Sequence, residues 1–190
     1  MLEEFLWKQD IDLALVQEVT TPLLSAIRRY TAYMNVGTDR SGTAILVTDG
    51  IPITDIKRIP SGRRMATTLN GTWIVNIYAP SGAEKKNERE TFYNTDLTCI
   101  LPTAQADMIL AGDFNCTLSK TDSTGNNNYS RARANIVNGF YLIDAWNTST
   151  SRRMFTHYMA TGASRIDRIY ATRKIMSKKQ WQLHLPTTTR

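Results

Sequence analysis

Short runs of aliphatic and β-branched residues recur along the chain and predict β-strands. They lie at residues 11–16 (IDLALV), 43–48 (TAILVT), 65–69 (MATTL), 73–78 (WIVNIY), 107–112 (DMILAG) and 165–172 (RIDRIYAT). The runs LALV and DMILAG are almost continuously apolar, which is typical of strands covered on both faces. Asn70-Gly71, just before WIVNIY, predicts a two-residue hairpin turn and therefore an antiparallel pair. We expect sheets with helices packed over them.

Helical spacing of apolar residues predicts three helices in addition to the amphipathic opening LEEFLWKQ. The first has Thr21 as its N-cap and Pro22 as its first helical residue, and it continues through Tyr30. The second begins at a capping box formed by Ser81 and Glu84. Its apolar face is Phe92, Tyr93, Leu97, Ile100 and Leu101, and the third helix runs from about Arg131 through Ile136, Val137 and Phe140. The polar stretch 121–130 predicts a loop.

Composition and length indicate one globular domain spanning residues 1–190. Apolar residues make up 42% of the chain and charged residues 21%, which are ordinary values for a folded domain. The longest apolar runs are too short to cross a bilayer, and the acidic N-terminal segment does not resemble a secretory signal. Cys99 and Cys116, taken with His157 and His184, match no zinc-site spacing. We expect an intracellular protein with reduced thiols and no membrane association.

The net charge of +6 is distributed unevenly. Residues 1–130 carry 12 basic and 15 acidic side chains, whereas residues 131–190 carry 11 basic and 2 acidic ones. A solvated basic face is one interpretation, and a polyanionic partner is the other. The clustering of Arg131, Arg133, Arg165 and Arg168 favours the polyanion, to which such charges give salt-dependent attraction without base specificity.

Polar residues with catalytic potential come where predicted strands end or begin. Glu18 follows the strand LALV, Tyr78 precedes a Pro-Ser-Gly turn, Asp113 and Asn115 follow DMILAG, and Asp167 lies in the last strand. Each has an ordinary explanation as a turn former, a solvated strand end or a core residue. Loops at strand ends are also where rigid scaffolds present functional groups.

In this order and spacing, the strand-end motifs resemble those of the endonuclease/exonuclease/phosphatase superfamily, which includes deoxyribonuclease I and the abasic-site endonucleases. The endonuclease domains of non-LTR (LINE-type) retrotransposons are the most similar members. The motifs are Gln17-Glu18, Tyr78-Ala79-Pro80, Gly112-Asp113-Phe114-Asn115 and Ser164-Arg165-Ile166-Asp167-Arg168-Ile169. The resemblance implies an α/β sandwich of two mixed β-sheets packed face to face, with flanking helices in four layers.

The resemblance also implies a role for each residue in phosphodiester hydrolysis. Glu18 is the ligand of Mg²⁺, or of Mn²⁺ in its place, and Asp113 is the base that orients or deprotonates water. Asn115 and Tyr78 hydrogen-bond the phosphate, and Asp167 holds and polarises a histidine. Hard oxygen ligands of these types suit Mg²⁺, which keeps several of its waters.

Two family features have no counterpart in this sequence. The histidine held by Asp167 normally belongs to a Ser-Asp-His motif on a later strand, and this sequence has none. His157 and His184 are candidates to replace it, although surface or packing roles explain both. Family members also begin with a strand that carries an Asn, whereas this chain opens in LEEFLWKQ. We therefore expect the family fold trimmed of its first and last strands.

Three functional hypotheses follow from the resemblance. The leading one is a Mg²⁺-dependent DNA endonuclease that nicks double-stranded target DNA for a retrotransposon, in a parent protein with a reverse transcriptase domain and in the nucleus. The second is a truncated remnant, weakly active or inactive, that at most binds DNA. The third is a phosphoesterase of the same fold that acts on a phosphoinositide or another phosphate ester. The basic C-terminal third favours nucleic acid over lipid.

Overall fold

The structure is a computed structural model that describes residues 2–19, 27–37, 41–125, 128–146 and 155–178. The helical segments are α1 (Leu2–Lys8), α2 (Lys86–Thr91) continued by a π-helical turn (Phe92–Leu97), a 3₁₀ turn (Lys120–Asp122), α3 (Arg131–Gly139) and α4 (Arg173–Lys178). The strands are β1 (Leu13–Gln17), β2 (Tyr30–Val36), β3 (Gly42–Thr48), β4 (Ile53–Arg58), β5 (Arg64–Leu69), β6 (Thr72–Tyr78), β7 (Met108–Asp113), β8 (Ile143–Asp144), β9 (His157–Met159), β10 (Gly162–Ser164) and β11 (Asp167–Ala171).

The larger sheet is mixed and has the strand order β4-β5-β6-β7-β11-β8. Strands β6 and β7 are parallel, and the other neighbours are antiparallel. The β5–β6 hairpin closes between Leu69 and Thr72 through Asn70 and Gly71, whose φ angles are +49° and +76°. Two residues with positive φ are what a tight hairpin turn requires, and the Asn-Gly prediction is confirmed.

The smaller sheet is antiparallel, with the order β1-β3-β2, and it packs face to face against the larger one. Alternate residues of β3 point to opposite sides. Ile45 and Val47 pack between the sheets with Met65 and Ile74 of the larger sheet, whereas Leu46 packs on the outside with α1. Every one of these side chains is almost completely buried. Each large one contributes about 1.5–3 kcal/mol through burial.

The outer face of the larger sheet is covered by α2, the π-helical turn and α3. Val75, Ile77 and Leu110 of the sheet pack against helical side chains that include Phe92 and Tyr93. The layers are therefore helix, small sheet, large sheet and helices, and the predicted α/β sandwich with flanking helices is confirmed. No helix among the described residues is long and apolar enough to cross a membrane.

Two helix predictions need correction. The helix expected to continue through Tyr30 is wrong at its described end, because Tyr30 begins β2 and pairs with Thr48; residues 20–26 lie outside the described part. Aromatic and β-branched residues in YTAYMNV suit a strand that pairs along its whole length with β3. The Ser81–Glu84 capping box is also wrong, since α2 begins after Lys85 without a side-chain cap. The third helix is confirmed as α3, which the Ser130 side chain caps.

Candidate active site

Three neighbouring strands of the larger sheet bring Tyr78, Asp113 and Asp167 side by side. Tyr78 is opposite Asp113 in the parallel pair β6–β7, and Asp113 is opposite Asp167 in the antiparallel pair β7–β11. Backbone pairing continues just beyond, where the Ala79 N–H donates to the Asp113 carbonyl at 2.9 Å. Three of the side chains predicted from the strand-end motifs therefore meet at one end of one sheet.

Glu18 belongs to the smaller sheet and occupies a β-bulge. Gln17 pairs with Thr43, and the Val19 N–H donates to the Gly42 carbonyl at 3.2 Å, so that Glu18 is an extra residue between the two positions. Its φ is +60°, in the left-handed region. A Cβ on Gly42 would lie 1.9 Å from the Val19 carbonyl oxygen, so only glycine permits this close approach of β1 and β3.

The bulge turns the Glu18 carboxylate toward Tyr78. The Tyr78 Oη donates to Glu18 Oε1 at 3.2 Å, which links the two sheets at the site. Burial raises the pKa of the Tyr78 phenol, and the charge of Glu18 acts in the same direction, against a hydrogen bond with Ser81. The phenol thus remains protonated at neutral pH and is a hydrogen-bond donor.

Asp113 and Asn115 form a turn in which the asparagine orients the aspartate. The Asn115 backbone N–H donates to Asp113 Oδ1 at 2.8 Å, and Asn115 Nδ2 donates to Asp113 Oδ2 at 3.2 Å and to the Ala79 carbonyl at 2.8 Å. Asn115 has a φ of +47°, which asparagine tolerates well. Gly112 has a φ of +132°, and a Cβ there would lie 2.0 Å from the Ile77 carbonyl oxygen. The turn therefore fixes the Asp113 carboxylate from both sides.

The carboxylates of the site repel one another. Burial raises the pKa of Asp113 to about 7, and the charges of Asp167 and Glu18 add to this, against the hydrogen bonds from Asn115. A carboxyl group titrating near neutrality can accept a proton at physiological pH. Strongly perturbed carboxylates at strand ends are also typical of functional sites.

A divalent cation such as Mg²⁺ could be held at this site by the Glu18 carboxylate. Within the described residues, no three Asp, Glu, His or Cys side chains form a ready-made metal site. Mg²⁺ needs less than that, because it is usually held by one or two carboxylates and completes its shell with water and substrate phosphate. Glu18 supplies an exposed carboxylate, and its repulsion with Asp113 is the kind that a bound cation would relieve.

His157 is the histidine that the fold brings near Asp167. The Thr156 hydroxyl accepts hydrogen bonds from the backbone N–H groups of Ile166 and Asp167, both at 3.1 Å, and His157 is the next residue, at the start of β9. Burial raises the pKa of Asp167, while the Thr156 hydroxyl and the charge of His157 act to lower it. His184 lies outside the described residues.

Two of the arginines predicted to contact DNA are instead part of a buried ionic cluster, which consists of Asp122, Asp144, Arg165 and Arg168. Arg168 lies 2.5 Å from a carboxylate oxygen of each aspartate, and Arg165 lies 3.1 and 3.3 Å from them. These arginine side chains are only 2% and 9% exposed. The prediction that Arg165 and Arg168 contact DNA is therefore wrong for this fold, because their charges are compensated inside the protein.

Arg133 is also buried, and the same correction applies to it. Its guanidinium donates to the Cys116 carbonyl at 2.6 Å and to the Tyr170 hydroxyl, and it lies 4.5 Å from the Phe114 ring centroid. Arg131, the first residue of α3, is exposed and remains a candidate for contact with DNA. Arg131 and Arg133 lie two positions apart on α3, and only the exposed Arg131 can reach a ligand there.

Sequence reasoning missed two residues that support the site. Asn76 lies inside the apolar strand WIVNIY. A polar residue in such a run indicates a buried side chain that has hydrogen-bond partners in the core. Arg89 is almost completely buried and donates to the Pro80 carbonyl and to Asn128 Oδ1, while Asn128 Nδ2 donates to the Asn115 carbonyl. Nothing in the spacing around Arg89 indicated that role.

The fold is similar to solved nucleases and related structures. An AP endonuclease from Archaeoglobus fulgidus superposes with a TM-score of 0.71 and 16% identity, covering 93% of this chain and 82% of that one. Truncated TDP2 from Caenorhabditis elegans superposes with a TM-score of 0.62 and 17% identity, covering 90% and 75%. At these identities, the likeness shows the fold.

Two sequence comparisons relate the chain to known proteins. The chain is 28% identical over 117 residues to the transposon TX1 uncharacterized 149 kDa protein of Xenopus laevis, a match that covers 56% of this chain and 9% of that protein. The chain thus spans a small part of that relative's length. Residues 2–188 match the model of the endonuclease/exonuclease/phosphatase family. Together with the strand-end carboxylates and the sandwich fold, this match shows that the chain belongs to the endonuclease/exonuclease/phosphatase family.

Proposed function

We propose that this chain is a Mg²⁺-dependent endonuclease domain of a retrotransposon, which hydrolyses a phosphodiester bond in double-stranded target DNA. The observation that carries the proposal is the meeting of Tyr78, Asp113 and Asp167 on adjacent strands with Glu18 from the opposite sheet. Enzymes of this family generally use divalent metals. The similarity to a transposon protein supports an origin in a retrotransposon, and the similarity in fold to an AP endonuclease supports a nucleic-acid substrate.

Glu18 would hold the metal ion, and Mn²⁺ could replace Mg²⁺ there. When bound, the cation would neutralise phosphate charge and lower the pKa of a coordinated water. The exposed position of Glu18 leaves room for water and for a phosphate oxygen beside it. Tyr78 donates to Glu18 in the free protein and would donate to a phosphate oxygen once substrate enters.

Asp113 would act as the base that orients or deprotonates the attacking water. The hydrogen bonds from Asn115 hold its carboxylate in one orientation, and in the metal-free protein burial and the neighbouring carboxylates raise its pKa to about 7. Because the Asn115 side-chain amide already donates to Asp113 and to Ala79, its first role in the free protein is orientation. Asp167 raises the proton affinity of Asp113 by charge repulsion.

The partners in this proposal are double-stranded DNA and a reverse transcriptase domain of the parent protein, with a nuclear location. Arg131 is the exposed member of the predicted basic set in the described part of the chain. Phosphate contacts by such a residue would give affinity that falls with salt and carries no base specificity.

The test is nicking of supercoiled plasmid in Mg²⁺, with and without EDTA, by the wild type and by Asp113→Asn. Asp107→Asn is the matched control, because Asp107 lies at the opposite end of β7 and pairs with Lys174. We expect EDTA to abolish nicking and Asp113→Asn to slow it by about 10²–10⁴-fold, as for loss of a general base. Asp107→Asn should nick like the wild type. Equal rates in the wild type and Asp113→Asn would contradict the assignment, and a folded wild type that does not nick would favour the inactive remnant.

A further inference from the structure

Asn76 joins the two sheets through a fully satisfied set of hydrogen bonds. Its side chain has no exposed surface. Its Nδ2 donates to the carbonyl oxygens of Val16 at 3.0 Å and Ala44 at 2.8 Å, and its Oδ1 accepts from Gln17 Nε2 at 2.6 Å. One residue of β6 is thereby bonded to β1 and β3 of the opposite sheet. A buried polar group is tolerated when its partners are this complete.

These contacts lie immediately beside the candidate active site. Asn76 is two residues before Tyr78 on β6, so both side chains point to the same face of the strand. Its partner Gln17 directly precedes Glu18. The Asn76–Gln17 and Tyr78–Glu18 hydrogen bonds are therefore consecutive links between the same two strand ends.

The backbone at Glu18 needs such support. A residue other than glycine in the left-handed region costs about 1–3 kcal/mol and persists only where its surroundings enforce it. On one side of Glu18, the Val19 N–H is bonded to the Gly42 carbonyl. On the other side, Val16 and Gln17 are held by Asn76. The bulge is thus fixed at both of its ends.

We infer that Asn76 is a positioning residue of the active site. It fixes the bulged end of β1 against β6 and so holds Glu18 and Tyr78 within hydrogen-bonding distance of each other. The inference rests on the proposed function, in which Glu18 binds the metal. If Asn76 has this role, substituting it weakens metal binding. Substituting a residue that only stabilises the fold would leave the metal affinity unchanged. Side chains that orient a metal ligand typically change metal affinity by about 10–100-fold.

The test compares Asn76→Leu with Asn35→Leu, a matched control in β2. Asn35 is also buried, and its Nδ2 donates to the Ile59 and Arg64 carbonyls at 2.9 and 2.8 Å rather than to β1. Gln17→Met, at a half-buried position, is the milder variant that breaks the same link if Asn76→Leu does not fold. Mn²⁺ binding is measured by electron paramagnetic resonance without DNA, and amide hydrogen exchange is measured at Val19.

We expect Asn76→Leu and Gln17→Met to weaken Mn²⁺ binding by about tenfold or more and to speed exchange at Val19 by a similar factor. Asn35→Leu should bind Mn²⁺ like the wild type, even if it loses as much stability. Unchanged Mn²⁺ affinity in both test variants, with a wild type that binds Mn²⁺ and nicks DNA, would overturn the inference alone. A wild type that neither binds Mn²⁺ nor nicks DNA would overturn the proposed function and this inference with it.

Discussion

The candidate active site and the ionic cluster use the same kinds of charged side chain in opposite electrostatic settings. Asp167 and Arg168 are consecutive in β11 and therefore point to opposite faces of the sheet. In the cluster, Arg168 and Arg165 hold the pKa of Asp122 well below its usual range, although burial alone would raise it. In the site, burial and neighbouring carboxylates raise the pKa of Asp113 to about 7. Compensated charges hold the fold together, whereas uncompensated ones are available for chemistry.

The largest expected effect comes from removing one arginine of the buried ionic cluster. Arg168→Met would leave the buried carboxylates of Asp122 and Asp144 with Arg165 as their remaining cation in the cluster. Removing one partner of a buried ion pair costs about 3–5 kcal/mol, because a charge is left without compensation. Urea unfolding followed by circular dichroism should show that loss in the free energy of unfolding.

Arg131→Met is the matched control, because Arg131 is exposed on α3. Such a surface change should stay within about 0.5 kcal/mol of the wild type. If Arg168→Met and Arg131→Met unfold at the same urea concentration, the ionic cluster does not stabilise the fold as described.

The hydrophobic pattern predicted the central strands β3, β5, β6 and β7, with β1 and β11, because strand and helix periodicities follow directly from packing; it did not predict β2, β4, β8, β9 and β10. The strand runs at 43–48 and 73–78 match β3 and β6 almost residue for residue. The pattern placed Tyr30 at the end of a helix and predicted no strand over residues 31–36, whereas Tyr30–Val36 form β2 through pairing with β3.

The residues of the site were predicted by family resemblance, whereas their supports were not. Glu18, Asp113 and Asp167 lie in short motifs, but the partners of Arg165 and Arg168 are distant in sequence, at Asp122 and Asp144. Counting charges along the chain therefore misassigned those arginines. Whether a charge faces DNA or a buried carboxylate depends on tertiary contacts that no local spacing encodes.

The stability of the metal-free protein should depend on pH through the Asp113 carboxyl group. In metal-free protein, the folded state binds a proton at Asp113 with a pKa of about 7, against an ordinary 3.8. The folded state then holds more protons than the unfolded state between these values, so this group makes stability fall as pH rises from about 4 to 7. Asp167 and Glu18 face it as negative charges, and Tyr78 stays neutral.

Between pH 5 and pH 8, in EDTA, the wild type should lose about 1–3 kcal/mol more than Asp113→Asn, after allowance for solvent screening. The measurement is the urea midpoint of both proteins at each pH, with Asp107→Asn expected to follow the wild type. A wild-type pH slope identical to that of Asp113→Asn would mean that the Asp113 carboxyl is not destabilised by burial and its neighbours.

The smallest expected effect on stability is that of Glu18→Gly, which separates stability from metal binding at one residue. Glu18 has a φ of +60°, which glycine adopts without strain, so Glu18→Gly removes a backbone cost of about 1–3 kcal/mol and one repelling carboxylate. The greater freedom of glycine in the unfolded chain offsets part of this, and the free energy of unfolding should be unchanged or higher by up to about 1 kcal/mol.

Glu88→Gly, the same substitution at an exposed helical position of α2, should instead lose about 1 kcal/mol. Urea unfolding of both variants decides the point, and equal losses would show that the bulge does not strain Glu18. A Glu18→Gly protein that is as stable as the wild type but does not bind Mn²⁺ would mean that the Glu18 side chain serves metal binding and does not stabilise the fold.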